Sequence, residues 1–200
     1  REHEGSALVF LPGQGEITRV AERLGGRVPA DTDIAPLYGQ LTPAEQDRAI
    51  RPAEPGRRKV VLATAIAETS LTIDGVRIVI DSGFRRIPVY DPGTGLTTLD
   101  TARVSRAGAD QRRGRAGRTA PGVCIRLWNQ GQTAALAPFD TPEILAADLA
   151  NLVLDLASWG VSDPAALPFL DPPPAPAWAE AVALYRQGEI FNRMGADIPR

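Results

Sequence analysis

The sequence predicts an α/β fold on a largely parallel sheet, and three observations carry that expectation. Short apolar runs recur through the first part of the chain: Ala7 to Leu11, Ile34 to Tyr38, Lys59 to Ala63, Val76 to Ile80 and Val123 to Trp128. They are close to continuous instead of alternating, as strands covered on both faces require. Helix-compatible stretches separate several of them, so the strands follow one another through crossovers, for which the right-handed form is expected.

Taken in order, Ala7 to Leu11 ends at Pro12-Gly13, and Ile17, Val20, Ala21 and Leu24 then fall on one helical face until Gly25-Gly26 stops the helix. Ile34 to Tyr38 closes at Gly39. Thr42-Pro43-Ala44-Glu45 supplies a cap, a proline at the first helical position and an acid near the positive end of the helix dipole. After the loop Pro52 to Gly56 come the two most strand-like runs, Lys59 to Ala63 and Val76 to Ile80. The segment between them sits at the carboxyl end of a strand, where open α/β sheets place ligands.

Alternation takes over after Gly83. Arg85 to Tyr90 and Leu96 to Thr101 flank Asp91-Pro92-Gly93-Thr94-Gly95, which reads as a β-hairpin. The residues alone leave open whether it protrudes or merely covers a sheet edge. Ala102 to Ala116 is helix-compatible, and Pro121-Gly122 turns the chain into the run Val123 to Trp128, so a first domain is expected over residues 1–130. A smaller, mostly helical segment follows over 131–200. Thr141-Pro142-Glu143 starts a helix with Leu145, Leu149, Leu152 and Leu156 on one stripe, and six prolines between 164 and 176 exclude regular helix or central strand there. Another helix begins at Trp178 and loses its pattern by Gly188.

The chain has 200 residues, 44% hydrophobic and 23% charged, the balance of an ordinary globular protein. No apolar run approaches membrane length, and Arg1-Glu2-His3-Glu4-Gly5 does not read as a secretion signal, so a cytoplasmic location without membrane partners is expected. One cysteine, Cys124, and one histidine, His3, exclude an internal disulfide, a thiolate or imidazole metal cage and a histidine-based triad. The net charge of −2 conceals an asymmetry: residues 77–126 carry ten Arg against four Asp, and residues 129–200 three Arg against nine acids. A polyanion partner suits the first of these segments.

That positive segment contains Gln111-Arg112-Arg113-Gly114-Arg115-Ala116-Gly117-Arg118. Five of its eight residues donate hydrogen bonds suited to phosphate, and its glycines permit close approach. On a helix Gln111, Arg115 and Arg118 would share one face, with Arg112 and Arg113 directed elsewhere, to solvent or a partner. A solvated basic run or a localisation signal is the plainer alternative.

The string from Gln111 to Arg118 resembles motif VI of superfamily 2 helicases, in the form found in DEAH-box RNA helicases. Ala63 to Gly75 resembles the same family's motif V, Leu8 to Ile17 its motif IV, and the likeness is greatest to the bacterial HrpB-type branch; it covers about residues 5 to 175. The resemblance implies a RecA-like three-layer lobe with an inserted β-hairpin that helps part strands, then the start of a winged-helix region. It further implies an ATP-dependent RNA helicase of which this is the C-terminal lobe. The chain has no Gly-x-x-x-x-Gly-Lys-Ser/Thr loop and no Asp-Glu pair, so ATP and Mg²⁺ would be held mainly by an N-terminal RecA-like lobe of a longer parent, and this chain alone should be inactive.

Residue by residue, the resemblance implies that Arg115 and Arg118 act on the γ-phosphate and that Gln111 senses it or orients the attacking water. Ser70, Thr72 and Asp74 would face the nucleotide, although Ser70 to Asp74 could equally be a helix-capping stretch. Thr64, Gly39, Gly13 and Gln14 would meet the RNA backbone. Ala65 stands where the family commonly has asparagine, and Ile50 where many relatives place an aromatic ring over the adenine. Two other functions remain open: a free-standing, non-catalytic module that binds RNA or a partner, and, lowest, a single-lobe nucleotidase.

Overall fold

β1 (Ser6–Phe10) forms the middle of a parallel sheet in which β3 (Arg58–Ala63) and β4 (Val76–Asp81) lie on either side of it, with β2 (Thr32–Leu37) and β7 (Val123–Arg126) at the edges. The order is β2-β3-β1-β4-β7, seen in a computed structural model that describes residues 3–69, 71–91, 94, 96–118 and 120–186. The run Leu8-Val9-Phe10 shows why the strands read as continuous apolar segments. Leu8 and Phe10 face one core with Leu37, Val61, Ala63 and Val79, while Val9 faces a second with Ile17 and Leu62. Successive side chains alternate between faces, and both faces are covered.

α1 (Gln14–Leu24) packs Ile17, Val20, Ala21 and Leu24 against the second core, as their spacing predicts. α2 (Pro43–Ile50) begins with a complete capping box: the Thr42 side chain accepts from the Glu45 amide, and the Thr42 amide donates to Glu45 Oε2 at 2.8 Å. α3 (Ile66–Thr69) is a single turn after β3, and the hairpin is present as β5 (Phe84–Asp91) paired with β6 (Leu96–Arg103).

Three segments depart from expectation. The stretch from Ala102 to Ala116 is not one helix: β6 extends to Arg103, Ser105 caps α4 (Arg106–Arg113) by accepting from the Gly108 amide, and the helix stops at Gly114. Beyond it Arg115 N and Ala116 N donate to Arg112 and Arg113 carbonyls, tight turns that two glycines favour. Secondly, β7 ends at Arg126, two residues before Trp128, and the short α5 (Gln130–Ala134) follows on an Asn129 cap. Thirdly, the helix from Thr141 is broken into a 3₁₀ turn, Glu143–Leu145, and α6 (Ala150–Ser158), which begins after Leu149 where the Asp148 carboxylate accepts from the Ala150 amide in a local turn.

The chain divides into two compact units, residues 1–87 with 101–140, and residues 88–100 with 141–200. Within the second, α6 and α7 (Ala175–Arg186) enclose a small core of Leu149, Ala150, Val153 and Ala181, against which Trp178 packs, and the Tyr90 hydroxyl donates to Glu180 at 3.3 Å. The stretch from Gly188 onward lies outside the described residues.

Gly122 precedes β7 where the backbone is most crowded. A Cβ there would overlap the Ala116 carbonyl oxygen and lie 2.6 Å from that of Arg77, and backbone oxygens cannot swing aside as a side chain can. Gly122→Ala is therefore expected to destabilise the protein by about 1–3 kcal/mol or more. Gly15→Ala, with open space around it in α1, should be neutral or stabilising by up to about 1 kcal/mol. Urea denaturation of the two variants checks the opposite signs.

Candidate functional site

The carboxyl ends of the parallel strands lie side by side, and the loops that leave them are tied to one another. Leu11 N donates to Ala63 O at 2.8 Å, Thr64 N to Leu37 O at 3.2 Å and Ser82 N to Phe10 O at 3.2 Å. Gly13, Gln14, Gly39 and Thr64 are thereby gathered at one end of the sheet. The Gln14 side-chain amide donates to the Tyr38 hydroxyl at 3.3 Å, linking the loops after β1 and β2. Gln14 and Gly39 are exposed there, while Gly13 and Thr64 are half-buried. Arg86 on β5 joins this end of the sheet: its Cγ and Nε lie against Gly13, and it pairs with Glu16 at 3.9 Å. The sequence did not single out Arg86, which only the fold brings beside Gly13.

The arginines stand beside the connection between β3 and β4. Arg115 is buried, with Nη1 donating to the Leu71 carbonyl at 2.7 Å and Nη2 to that of Glu68. Burial, chiefly, and then the charge of Arg118 pull its pKa down, while Glu68 opposes them. Arg118 is exposed and donates to the Thr72 hydroxyl at 3.0 Å. Both arginines therefore close onto the segment 68–72 that follows β3. The shared helical face does not exist, since Gln111 is on α4 and the two arginines lie in the turns beyond it. Gln111 and Asp74 are exposed, and Ser70 lies outside the described residues.

Arg112 corrects the sequence reading most sharply. Instead of pointing to solvent it is fully buried, with Nε 2.7 Å and Nη2 2.6 Å from Glu68 Oε1, and Nη1 2.7 Å from Asp81 Oδ1 and 3.2 Å from the Phe84 carbonyl. Its guanidinium carbon stands 4.9 Å from the centre of the Phe10 ring. A signal was available: Asp81 closes a β-branched run and Glu68 follows an apolar one, and buried carboxylates need a cation. Arg113 is exposed, as expected.

What this arrangement can hold follows from its donors. Arg118 and Thr72, exposed and joined by a hydrogen bond, form an open rim suited to a phosphate or a hydroxyl. The cavity behind them, lined partly by Leu71, Ile73, Arg115 and Arg118, has a volume of only about 10 Å³, so a nucleotide would lie on the rim and not within it. The nearby carboxylates of Glu68 and Asp81 are taken by Arg112, and among the described residues no cluster of three His, Cys, Asp or Glu exists. Burial pushes the Cys124 thiol up, so that side chain is a packing group. Among the described residues no helix is long and apolar enough to cross a membrane.

A five-stranded parallel sheet with a two-stranded hairpin before its last strand matches the RecA-like fold of a helicase C-terminal domain, and comparisons agree. Residues 1–120 match the family model for the helicase conserved C-terminal domain, and the chain belongs to that family. It is 52% identical over 174 residues to the ATP-dependent RNA helicase HrpB of Escherichia coli, covering 87% of this chain and 22% of that protein. It is 46% identical over 187 residues to the probable ATP-dependent RNA helicase DHX34 of Homo sapiens, covering 92% of this chain and 16% of the relative. A crystal structure of the Escherichia coli DEAH/RHA helicase HrpB superposes with a TM-score of 0.86 at 49% identity, over 92% of this chain and 24% of that one. The chain thus spans less than a quarter of the length of these relatives.

The two outer arginines should differ in what they do for the lobe itself. Arg115→Ala strips the Glu68 and Leu71 carbonyls of a buried donor and is expected to cost about 1–3 kcal/mol. Arg118→Ala, at an exposed position, should change stability by no more than about 0.5 kcal/mol. Equal denaturation midpoints for the two variants would contradict this placement.

Proposed function

We propose that this chain is the C-terminal lobe of an ATP-dependent RNA helicase, completing an ATP-hydrolysis site whose phosphate-binding loop and magnesium ligands come from another RecA-like lobe. The observation that carries this reading is the closing of Arg115 and Arg118 onto the connection between β3 and β4, at Glu68, Leu71 and Thr72. Lobe closure would bring ATP to that rim. Arg118 meets the γ-phosphate directly, Arg115 meets it by exchanging neutral carbonyl acceptors for a charged one, and Gln111 orients the attacking water. Ser70, Thr72 and Asp74 face the nucleotide. Fixed guanidinium charge at the transferring phosphoryl group stabilises the transition state, an effect worth about a thousandfold to a hundred-thousandfold in related phosphoryl-transfer enzymes.

RNA lies on the neighbouring loops in this proposal. Gly39, Gly13, Gln14 and Thr64 offer small or neutral groups to the sugar-phosphate backbone, Arg86 adds a charge beside them, and none of these reads base identity. The hairpin would help part strands, and residues 131–200 would begin a winged-helix region. The closeness of the sequence to proteins named ATP-dependent RNA helicases supports the whole reading, as does the absence of a phosphate-binding loop from this chain.

RNA-stimulated ATP hydrolysis, measured for the chain alone and mixed with the P-loop lobe, tests it. Turnover is expected only in the mixture and should be abolished by Arg118→Ala. Activity in neither preparation, with RNA binding retained, would favour a non-catalytic RNA-binding module. RNA affinity should fall as salt is raised because phosphate contacts release counterions, and a salt-independent affinity would argue against the backbone contacts.

A further inference from the structure

We propose that Arg112 is a positioning residue for Arg115, acting through Glu68, and that the same guanidinium sets the root of the β5–β6 strand pair. The inference rests on the reading that Arg115 meets the nucleotide phosphate, and it adds a group that touches neither nucleotide nor RNA.

Glu68 is held at two points. Its carboxylate accepts from Nε of Arg112 at 2.7 Å, with Nη2 in ion-pair contact at 2.6 Å, and its carbonyl oxygen accepts from Nη2 of Arg115. Any shift of the carboxylate rotates the single turn of α3 and moves the carbonyl that holds Arg115. Arg112 thus fixes the resting place from which Arg115 must depart and to which it must return.

The other side of the fork reaches a different part of the chain. Nη1 of Arg112 is shared between Asp81 Oδ1 at 2.7 Å and the Phe84 carbonyl at 3.2 Å, and the same Asp81 oxygen accepts from the Gly83 amide at 2.8 Å. Gly83 and Phe84 form the turn into β5. One planar group therefore holds the segment beside the proposed phosphate site and the start of the strand pair in a common register. A lysine could not do this, because a single ammonium offers a point charge in place of two rigid, divergent edges.

A role in stability alone does not account for the choice of residue. A buried ion pair is weak evidence for stability, since apolar residues of similar volume fill such a space with no desolvation penalty. What an apolar side chain could not supply is a fixed angle between Glu68 and Phe84.

The test compares Arg112→Lys and Glu68→Gln in the assembled two-lobe enzyme, reading kcat and KM for RNA-stimulated ATP hydrolysis, duplex separated per ATP, and the thermal midpoint. Glu68→Gln leaves the Arg112–Asp81 pair intact and so keeps the fold if Arg112→Lys does not. The expected result for Glu68→Gln is a fall in kcat of about tenfold to a hundredfold, the scale of a small misplacement of a reacting group, with KM for ATP changed by less than about twofold. Arg112→Lys should show the same split together with less duplex separated per ATP. Unchanged kcat and unchanged duplex yield, with only the midpoint lowered, would overturn the proposal and leave Arg112 a structural residue. A rise in KM at constant kcat would also overturn it. If the unsubstituted enzyme lacks RNA-stimulated hydrolysis, the underlying functional reading fails first; if it is active and both variants match it, only the positioning role fails.

Discussion

Arg112 and the two carboxylates it binds set the terms for the rest of this lobe. A guanidinium with no exposed surface, placed between Asp81 and Glu68, must be matched in charge and in hydrogen bonding or the fold would bear an uncompensated buried ion. Two acids and one base leave a negative excess, and Arg115, also buried, lies beside Glu68 and balances it. The four groups come from three separate stretches of chain, with Arg112 standing 44 residues from Glu68 and 31 from Asp81. Breaking such a buried pair by removing one partner costs about 3–5 kcal/mol, a large share of the net stability of a domain of this size.

That constraint explains why Arg115 and Arg118 are neither on a loose loop nor on one helix. α4 ends at Gly114 because Arg112, on its last turn, must face inward while the following turns carry Arg115 back over α3. The positively charged edge is then built by turn geometry around an internal anchor. The carboxyl end of the sheet is built differently. Main-chain bonds between successive strand-end loops and the Gln14–Tyr38 contact place small and neutral residues in a row. The carboxyl end of the sheet thus presents a largely main-chain surface, while the charged groups gather beside the connection between β3 and β4.

Much of the fold was legible because its signals are local. The runs through Leu8, Val61 and Val79 had to be covered on both faces, and the Ile17-Val20-Ala21-Leu24 spacing had to be a helix against them. Thr42-Pro43-Ala44-Glu45 formed the capping box its residue types require. The errors fall where local signals compete. Residues 102–116 are compatible with a helix, yet Ala102 and Arg103 gained more from pairing across the hairpin, and the glycines at 114 and 117 offered the chain a cheaper turn than a continued helix. The leucine stripe after Thr141 was real only from Leu149 onward, where the Asp148 carboxylate bonds the Ala150 amide in a local turn that competes with a continuous helix.

By itself the sequence determined the family, the parallel sheet and the hairpin, since each is written in residue types at fixed spacing along the chain. Only the tertiary structure decided what each arginine of the string does. Arg112, Arg113, Arg115 and Arg118 have the same side chain and nearly the same neighbours in sequence, so nothing local separates them. Their roles diverge because acids from β4 and α3 lie under one of them, main-chain carbonyls under another, and solvent over the remaining two. Burial beside a distant charge is a property of the folded chain, and it turned what read as a solvent-facing arginine into the anchor of the site.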